Sequence, residues 1–91
     1  MNILEVGCGE GGNLLPFAKA GCNVTGVDIA PGRIEEARRF FREKQAKGRF
    51  IAEDFLKIKG LKHQYDIVIC HDVLEHVYDK DVLLSHIGYS L

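Results

Sequence analysis

An apolar stretch carrying one acid near its end runs without a break into alternating glycines: Ile3-Leu4-Glu5-Val6-Gly7-Cys8-Gly9-Glu10-Gly11. No other part of the chain restricts the fold as strongly. Glycine has no Cβ to hinder close approach and tolerates positive φ, so Gly7, Gly9 and Gly11 permit a tight turn from a strand into a helix, with backbone N–H groups at the helix start. Such a loop suits a nucleotide-like ligand lying against bare backbone. Gly7-x-Gly9-x-x-Gly12 also satisfies the dinucleotide fingerprint, which is weak alone and leaves the ligand open at this point.

A second strand, Asn23-Val24-Thr25-Gly26-Val27, ends at Asp28, about 20 positions after Gly7, the offset expected of a ribose-binding acid. Glycines and acid therefore belong to one site. A carboxylate at the carboxyl end of a strand can accept both ribose hydroxyl protons, whether the ribose belongs to a nicotinamide dinucleotide or to an adenosine bearing a sulfonium. Glu5 separates the two ligands. Strands of a parallel sheet are buried on both faces and read as apolar runs, so an acid two residues before Gly7 is out of place for packing; it repels phosphate and suits an ammonium. Asp54 follows the apolar stretch Phe50-Ile51-Ala52, where it can accept a proton from an adenine amino group. Aspartate also favours helix caps and turns on its own account, and Asp28 and Asp54 fit that reading as well. A fourth strand, Tyr65-Asp66-Ile67-Val68-Ile69-Cys70, leads into His71-Asp72-Val73-Leu74-Glu75-His76-Val77. No second glycine loop follows.

Taken in order, Ile3 to Gly11, Val24 to Ile29, Asp54-Phe55 and Tyr65 to Val77 resemble the four successive cofactor motifs of class I S-adenosylmethionine-dependent methyltransferases. The fourth is similar to the small-molecule branch that includes ubiquinone-type enzymes. The resemblance covers nearly the whole chain. It implies that Glu5 lies near the methionine amino group and that Gly7 and Gly9 shape the wall of the methionine pocket. It also implies that Asp28 binds the ribose, Ile29 packs on adenine, Asp54 and the Phe55 backbone read the adenine edge, and the Cys70 carbonyl faces the ammonium. The implied activity is methyl transfer from S-adenosylmethionine to a small-molecule acceptor by in-line displacement. A dinucleotide-binding oxidoreductase module and a noncatalytic cofactor-binding fragment are the competing readings.

Alternation of strand and helix along the chain predicts a Rossmann-like, doubly wound parallel sheet. Asn13 to Ala20 reads as a short helix stopped at Gly21, with Pro16 acceptable in the first turn. The next helix starts at Pro31 and runs to about Ala46 with Ile34, Ala37 and Phe41 inward and Phe40 at the margin of that stripe, ended by Gly48. Leu56 to Gln64 reads as an irregular connection, and a last helix from about Asp79 carries Val82, Leu83 and Ile87. The chain has 91 residues, short for a domain of this type, which usually has about 100 to 150. The resemblance implies a strand order of 3-2-1-4 with helices before the first strand and three strands after the fourth helix. Residues 1–91 are therefore expected to form a partial domain, the cofactor-binding half with the C-terminal strands missing, and strand four is expected to be an edge open to a partner chain or a second copy.

Composition narrows the function classes. The net charge is −1, with 46% hydrophobic and 27% charged residues, an ordinary α/β composition that implies no polyelectrolyte partner. The start is a strand and no long apolar run occurs, so neither a signal peptide nor a transmembrane helix is predicted and a cytoplasmic setting is expected. Cys8, Cys22 and Cys70 are an odd number without a C-x-x-C pair, which argues against disulfides and structural zinc and for reduced packing residues. Arg33, Arg38, Arg39, Arg42, Lys44 and Lys47 crowd the second helix, but Glu35 to Arg39 and Glu43 to Lys47 are favourable i,i+4 pairs and no aromatic platform accompanies them. That pattern describes a solvated face, and nucleic-acid binding is not expected. In a helix Asp72, Glu75, His76 and Asp79 would share one face at metal-ligand spacing, yet Asp72 departs from the Glu-x-x-Glu-His run of metal-using RNA-end methyltransferases, and no metal is expected. His71 and His76 are the residues suited to a general base. No catalytic residue is assigned, because an activated sulfonium asks mainly for positioning.

Overall fold

The computed structural model describes residues 1–57 and 65–70. Strand β1 spans Asn2–Val6, helix α1 Leu15–Lys19, β2 Asn23–Asp28, helix α2 Pro31–Glu43, β3 Arg49–Ala52, and β4 Ile67–Cys70, with a 3₁₀ turn at Phe55–Lys57 between the last two strands. All strand pairs are parallel, in the order β3-β2-β1-β4. The predicted order is the observed one. The chain winds outward from β1 to β3, then returns to the other side of β1, so the topological switch point lies between β1 and β4. In register, Val6 stands beside Val27 and Cys70, and Asp28 beside Ala52. The carboxyl ends of all four strands thus form one rim.

Alternation along β1 builds two cores. Ile3 joins Cys8, Leu14, Val24, Ile34, Ala37, Phe41 and Phe50 on the face covered by α1 and α2. Leu4 and Val6 join Val27, Phe55 and Tyr65 on the opposite face. Helix α2 buries Ile34, Ala37 and Phe41, the stripe read from the sequence, and Phe41 meets Phe50 edge to face with ring centroids 4.8 Å apart. Such pairing adds roughly 1 kcal/mol to the burial of the rings themselves.

Helix ends separate the two glycine stops that the sequence suggests. Gly21 has φ 93°, and the N–H groups of Gly21 and Cys22 reach back to the carbonyls of Ala18 and Phe17, a Schellman closure of α1. In α2 the same closure falls on Gln45, with φ 56°: Gln45 N–H donates to the Arg42 carbonyl and Ala46 N–H to that of Phe41. The helix therefore ends at Glu43 rather than near Ala46. Gly48 serves packing instead, since a Cβ there would lie 2.8 Å from the Phe41 ring. The Lys19 ammonium caps the end of α2 by donating to the Lys44 carbonyl.

Two other details depart from the sequence reading. Glu35 pairs with Arg38 at 2.6 Å, not with Arg39; Arg38 also donates to the Phe50 carbonyl at 3.0 Å, and its forked guanidinium serves both acceptors. The fourth strand begins at Ile67, because Asp66 is taken up by Asn2: its carboxylate accepts the Asn2 N–H at 2.7 Å and its own N–H donates to the Asn2 carbonyl at 2.8 Å. The segment with His71, Asp72, Glu75, His76 and Asp79 and the last predicted helix lie outside the described residues.

Candidate functional site

Four of the predicted positions gather where β1 and β2 end. The turn after β1 holds Gly7, Gly9 and Gly11 at φ 77°, 55° and 83°, values that side chains other than glycine adopt only with strain. Gly9 is more open than Gly11. A Cβ there would find only the Arg33 guanidinium, 3.8 Å away, whereas one at Gly11 would press on Phe41 at 3.2 Å. Gly9 thus leaves open space beside its backbone, and Gly11 lets the loop sit down on the core.

Asp28 joins the loop to the next turn. Its Oδ2 accepts the Gly9 N–H at 2.9 Å, and its Oδ1 accepts the Ala30 N–H at 2.9 Å. A carboxylate has about four acceptor positions, so roughly two remain for ligand hydroxyls. Ile29, the next residue, is 72% exposed, an apolar surface of the kind a flat ring can cover.

Several of the loop's own amides are committed inward. Gly7 and Cys8 donate to the Val27 carbonyl at 2.7 and 3.1 Å, and Gly11 to the Cys8 carbonyl at 3.0 Å. Gly9 is held by Asp28 in the same way, so four of the loop's N–H groups are engaged within the protein.

Glu5 has no exposed surface. It lies in β1 between Gly26 of β2 and Ile69 of β4, beneath the loop, and its Oε2 accepts a hydrogen bond from Asn13 Nδ2 at 3.0 Å. Any influence on a ligand therefore passes through its neighbours. Gly26, its β2 neighbour in register, makes room for Cys8 and Phe50: a Cβ there would stand 2.7 Å from Cys8 Sγ and 2.9 Å from Phe50. Neither Asn13 nor Gly26 stood out in the sequence, the first reading as the start of a helix and the second as one weak residue in a strand. An amide placed just across the glycine turn from a strand acid was the available signal.

The remaining predicted positions lie along the same rim. Asp54 follows β3, where Glu53 N–H donates to the Asp28 carbonyl at 3.0 Å, and Phe55 is buried in the second core. Cys70 ends β4 opposite Val6. Burial first, then the charge of Glu5, push its thiol above the ordinary range; Cys8 is pushed up to about 12 by burial, Asp28 and Glu5 in that order. Among the described residues, no group of three or more His, Cys, Asp or Glu stands close enough to hold a metal. A groove lined by Lys19, Cys22, Thr25, Gln45, Lys47 and Arg49 opens at the amino ends of β2 and β3, away from this rim. No helix among the described residues is long and apolar enough to cross a membrane.

A parallel α/β sheet whose glycine turn, strand-end acid and exposed apolar residue meet at the carboxyl ends of β1 and β2 defines a Rossmann-like nucleotide-type binding domain. Residues 3–89 match the family model described as a methyltransferase domain, and the chain belongs to that family. It is 39% identical over 77 residues to ubiquinone biosynthesis O-methyltransferase of Rickettsia canadensis, covering 85% of this chain and 32% of that protein. It is 34% identical over 91 residues to magnesium-protoporphyrin O-methyltransferase of Synechocystis, covering 94% of this chain and 38% of that protein. The solved structure of magnesium protoporphyrin IX methyltransferase from Synechocystis with bound SAM superposes with a TM-score of 0.80 at 35% identity, over 94% of this chain and 42% of that one. The chain spans about a third of the length of the curated relatives it matches.

Proposed function

We propose that residues 1–91 are the cofactor-binding half of a methyltransferase domain, which holds S-adenosylmethionine for methyl transfer to a small-molecule acceptor in the cytoplasm. The observation that carries this reading is the double use of Asp28, which ties down the Gly9 amide while keeping acceptor capacity for two ribose hydroxyls. The acid beneath the loop argues against a pyrophosphate, and so against the dinucleotide alternative. The names of both relatives above support an oxygen acceptor.

The donor brings a methyl group already activated by its sulfonium. The part of this chain is to bind and orient: Asp28 the ribose, Ile29 one adenine face, Asp54 and the Phe55 backbone the adenine edge, and Gly7, Gly9 and the Cys70 carbonyl the amino-acid end, with Glu5 beneath. Positioning of this kind is worth up to roughly 7 to 11 kcal/mol in aligned intramolecular reactions. The β4 edge is proposed to pair with a second copy or a partner chain.

Calorimetric titration tests the reading. Binding of S-adenosylmethionine or S-adenosylhomocysteine without binding of NADH is the expected result. NADH alone would point to the oxidoreductase reading, and binding of none of them to a fragment that only supports another chain.

A further inference from the structure

Glu5 is fully buried, yet an exposed residue touches it. Asn13 is exposed and lies in the turn before α1, and its Nδ2 donates to Glu5 Oε2 at 3.0 Å. A carboxylate can only accept, so the amide must present its NH₂ end to the acid. The Asn13 carbonyl oxygen is then the end available to a donor outside. Donation to a carboxylate polarises the amide, and hydrogen bonds in such a chain strengthen one another in a low-dielectric setting. The exposed Oδ1 gains negative character from an acid that no ligand can reach directly.

We propose that Asn13 is a cofactor-binding residue through which Glu5 acts on the ammonium of the donor's amino-acid end. This rests on the S-adenosylmethionine reading above and goes beyond it in naming the residue that makes the contact. It also accounts for an acid kept in the middle of a buried strand. Removed from solvent and from ligand, Glu5 sets the direction and polarity of Asn13, and Asn13 meets the cation.

Two ligands and two positions test the proposal on the 91-residue chain. S-adenosylhomocysteine carries the ammonium, and 5′-methylthioadenosine lacks the amino-acid end but keeps the nucleoside. Asn13→Ala, at an exposed site, is expected to weaken S-adenosylhomocysteine about tenfold, the scale of one hydrogen bond to a charged group, and to leave 5′-methylthioadenosine within about twofold. Glu5→Gln is expected to show the same selectivity, and the double variant to be little worse than either single one, because both remove one linked interaction. Circular dichroism checks that each variant remains folded.

Equal losses for both ligands in Asn13→Ala would assign Asn13 a purely structural role and overturn the proposal. So would a loss in Glu5→Gln that Asn13→Ala does not reproduce, since Glu5 would then act without Asn13. Those two outcomes leave the S-adenosylmethionine reading standing. Failure of the unsubstituted chain to bind either ligand would overturn both.

Discussion

The Gly9 backbone N–H donates to Asp28 Oδ2 at 2.9 Å, so the glycine turn after β1 and the carboxyl end of β2 form one hydrogen-bonded unit. The arrangement gives Asp28 a duty within the fold, beside the one proposed for it toward a ribose. Asp28→Ala removes the acceptor for Gly9 and Ala30 as well as for the ligand. With two charge-assisted hydrogen bonds lost at about 1.5 kcal/mol each, S-adenosylhomocysteine binding is expected to weaken by about 100-fold. Because the ribose is common to both ligands, 5′-methylthioadenosine is expected to suffer equally, in contrast to the selective loss expected at Asn13. Titration of both ligands against Asp28→Ala checks the prediction; an unchanged affinity would remove Asp28 from the ribose site.

Gly9 and Gly26 are constrained for different reasons, and alanine at each separates them. At Gly9 the added Cβ has room, with its nearest contact 3.8 Å away, so the fold loses only the cost of a left-handed alanine, about 1 to 2 kcal/mol. The methyl nevertheless fills the bare surface of the loop, and ligand affinity is expected to fall by much more than stability.

At Gly26 the added Cβ meets Cys8 at 2.7 Å and Phe50 at 2.9 Å. Overpacking of this kind costs about 1 to 3 kcal/mol. Cys8→Ala, which removes the Sγ contact, is expected to restore part of that loss in the double variant. Urea denaturation of Gly26→Ala with and without Cys8→Ala measures it, and strict additivity of the two changes would contradict the packing account.

Gln45 occupies the left-handed position at the end of α2 with φ 56°, where glycine carries no steric penalty. Gln45→Gly is expected to raise stability by about 0.5 to 1 kcal/mol, read as a higher urea midpoint with an unchanged slope. Gly48→Ala is expected to do the reverse, because its Cβ would strike Phe41 at 2.8 Å.

The contrast between those two positions shows how far the sequence could be read. The apolar stripe of α2 and the role of Gly21 follow from periodicity and turn chemistry, which are local and leave a pattern, whereas the strand order is implied by the family resemblance alone. The end of α2 does not: a glycine three residues downstream looked like the stop, while hydrogen bonds to Phe41 and Arg42 held Gln45 in a conformation its residue type disfavours. The site divides the same way. Gly7, Gly9 and Asp28 are marked by spacing, which puts them in one site, but the hydrogen bond from Gly9 to Asp28 is not written in it. The contact between Asn13 and Glu5 depends on how tightly the turn folds back over β1, a tertiary fact with no periodic trace, and the demand for a bare Gly26 arises only once Cys8 and Phe50 converge from other elements.

Cys8 supplies a pH-dependent test of the same packing. It is buried between the loop and the core, and its Sγ lies 3.6 Å from the Gly9 carbonyl as a weak donor. Burial, then the charges of Asp28 and Glu5, push its pKa from an ordinary 9.0 to about 12. In the unfolded chain the thiol loses its proton near pH 9, whereas in the folded chain it keeps it to about pH 12. Between those values the unfolded state binds fewer protons than the folded one, so the contribution of Cys8 to stability is complete below pH 9 and falls as pH rises toward 12. Other groups titrate in that window, and Cys8→Ala provides the reference. The difference in urea midpoint between the unsubstituted chain and Cys8→Ala is expected to be constant up to about pH 9 and to shift steadily in favour of Cys8→Ala above it. At pH 8 the native thiolate fraction is about one part in ten thousand, so alkylation of Cys8 is expected to proceed only through opening of the fold and to accelerate with added urea. Parallel pH curves for the two chains, together with rapid alkylation of the native protein, would mean that the loop leaves Cys8 open to water.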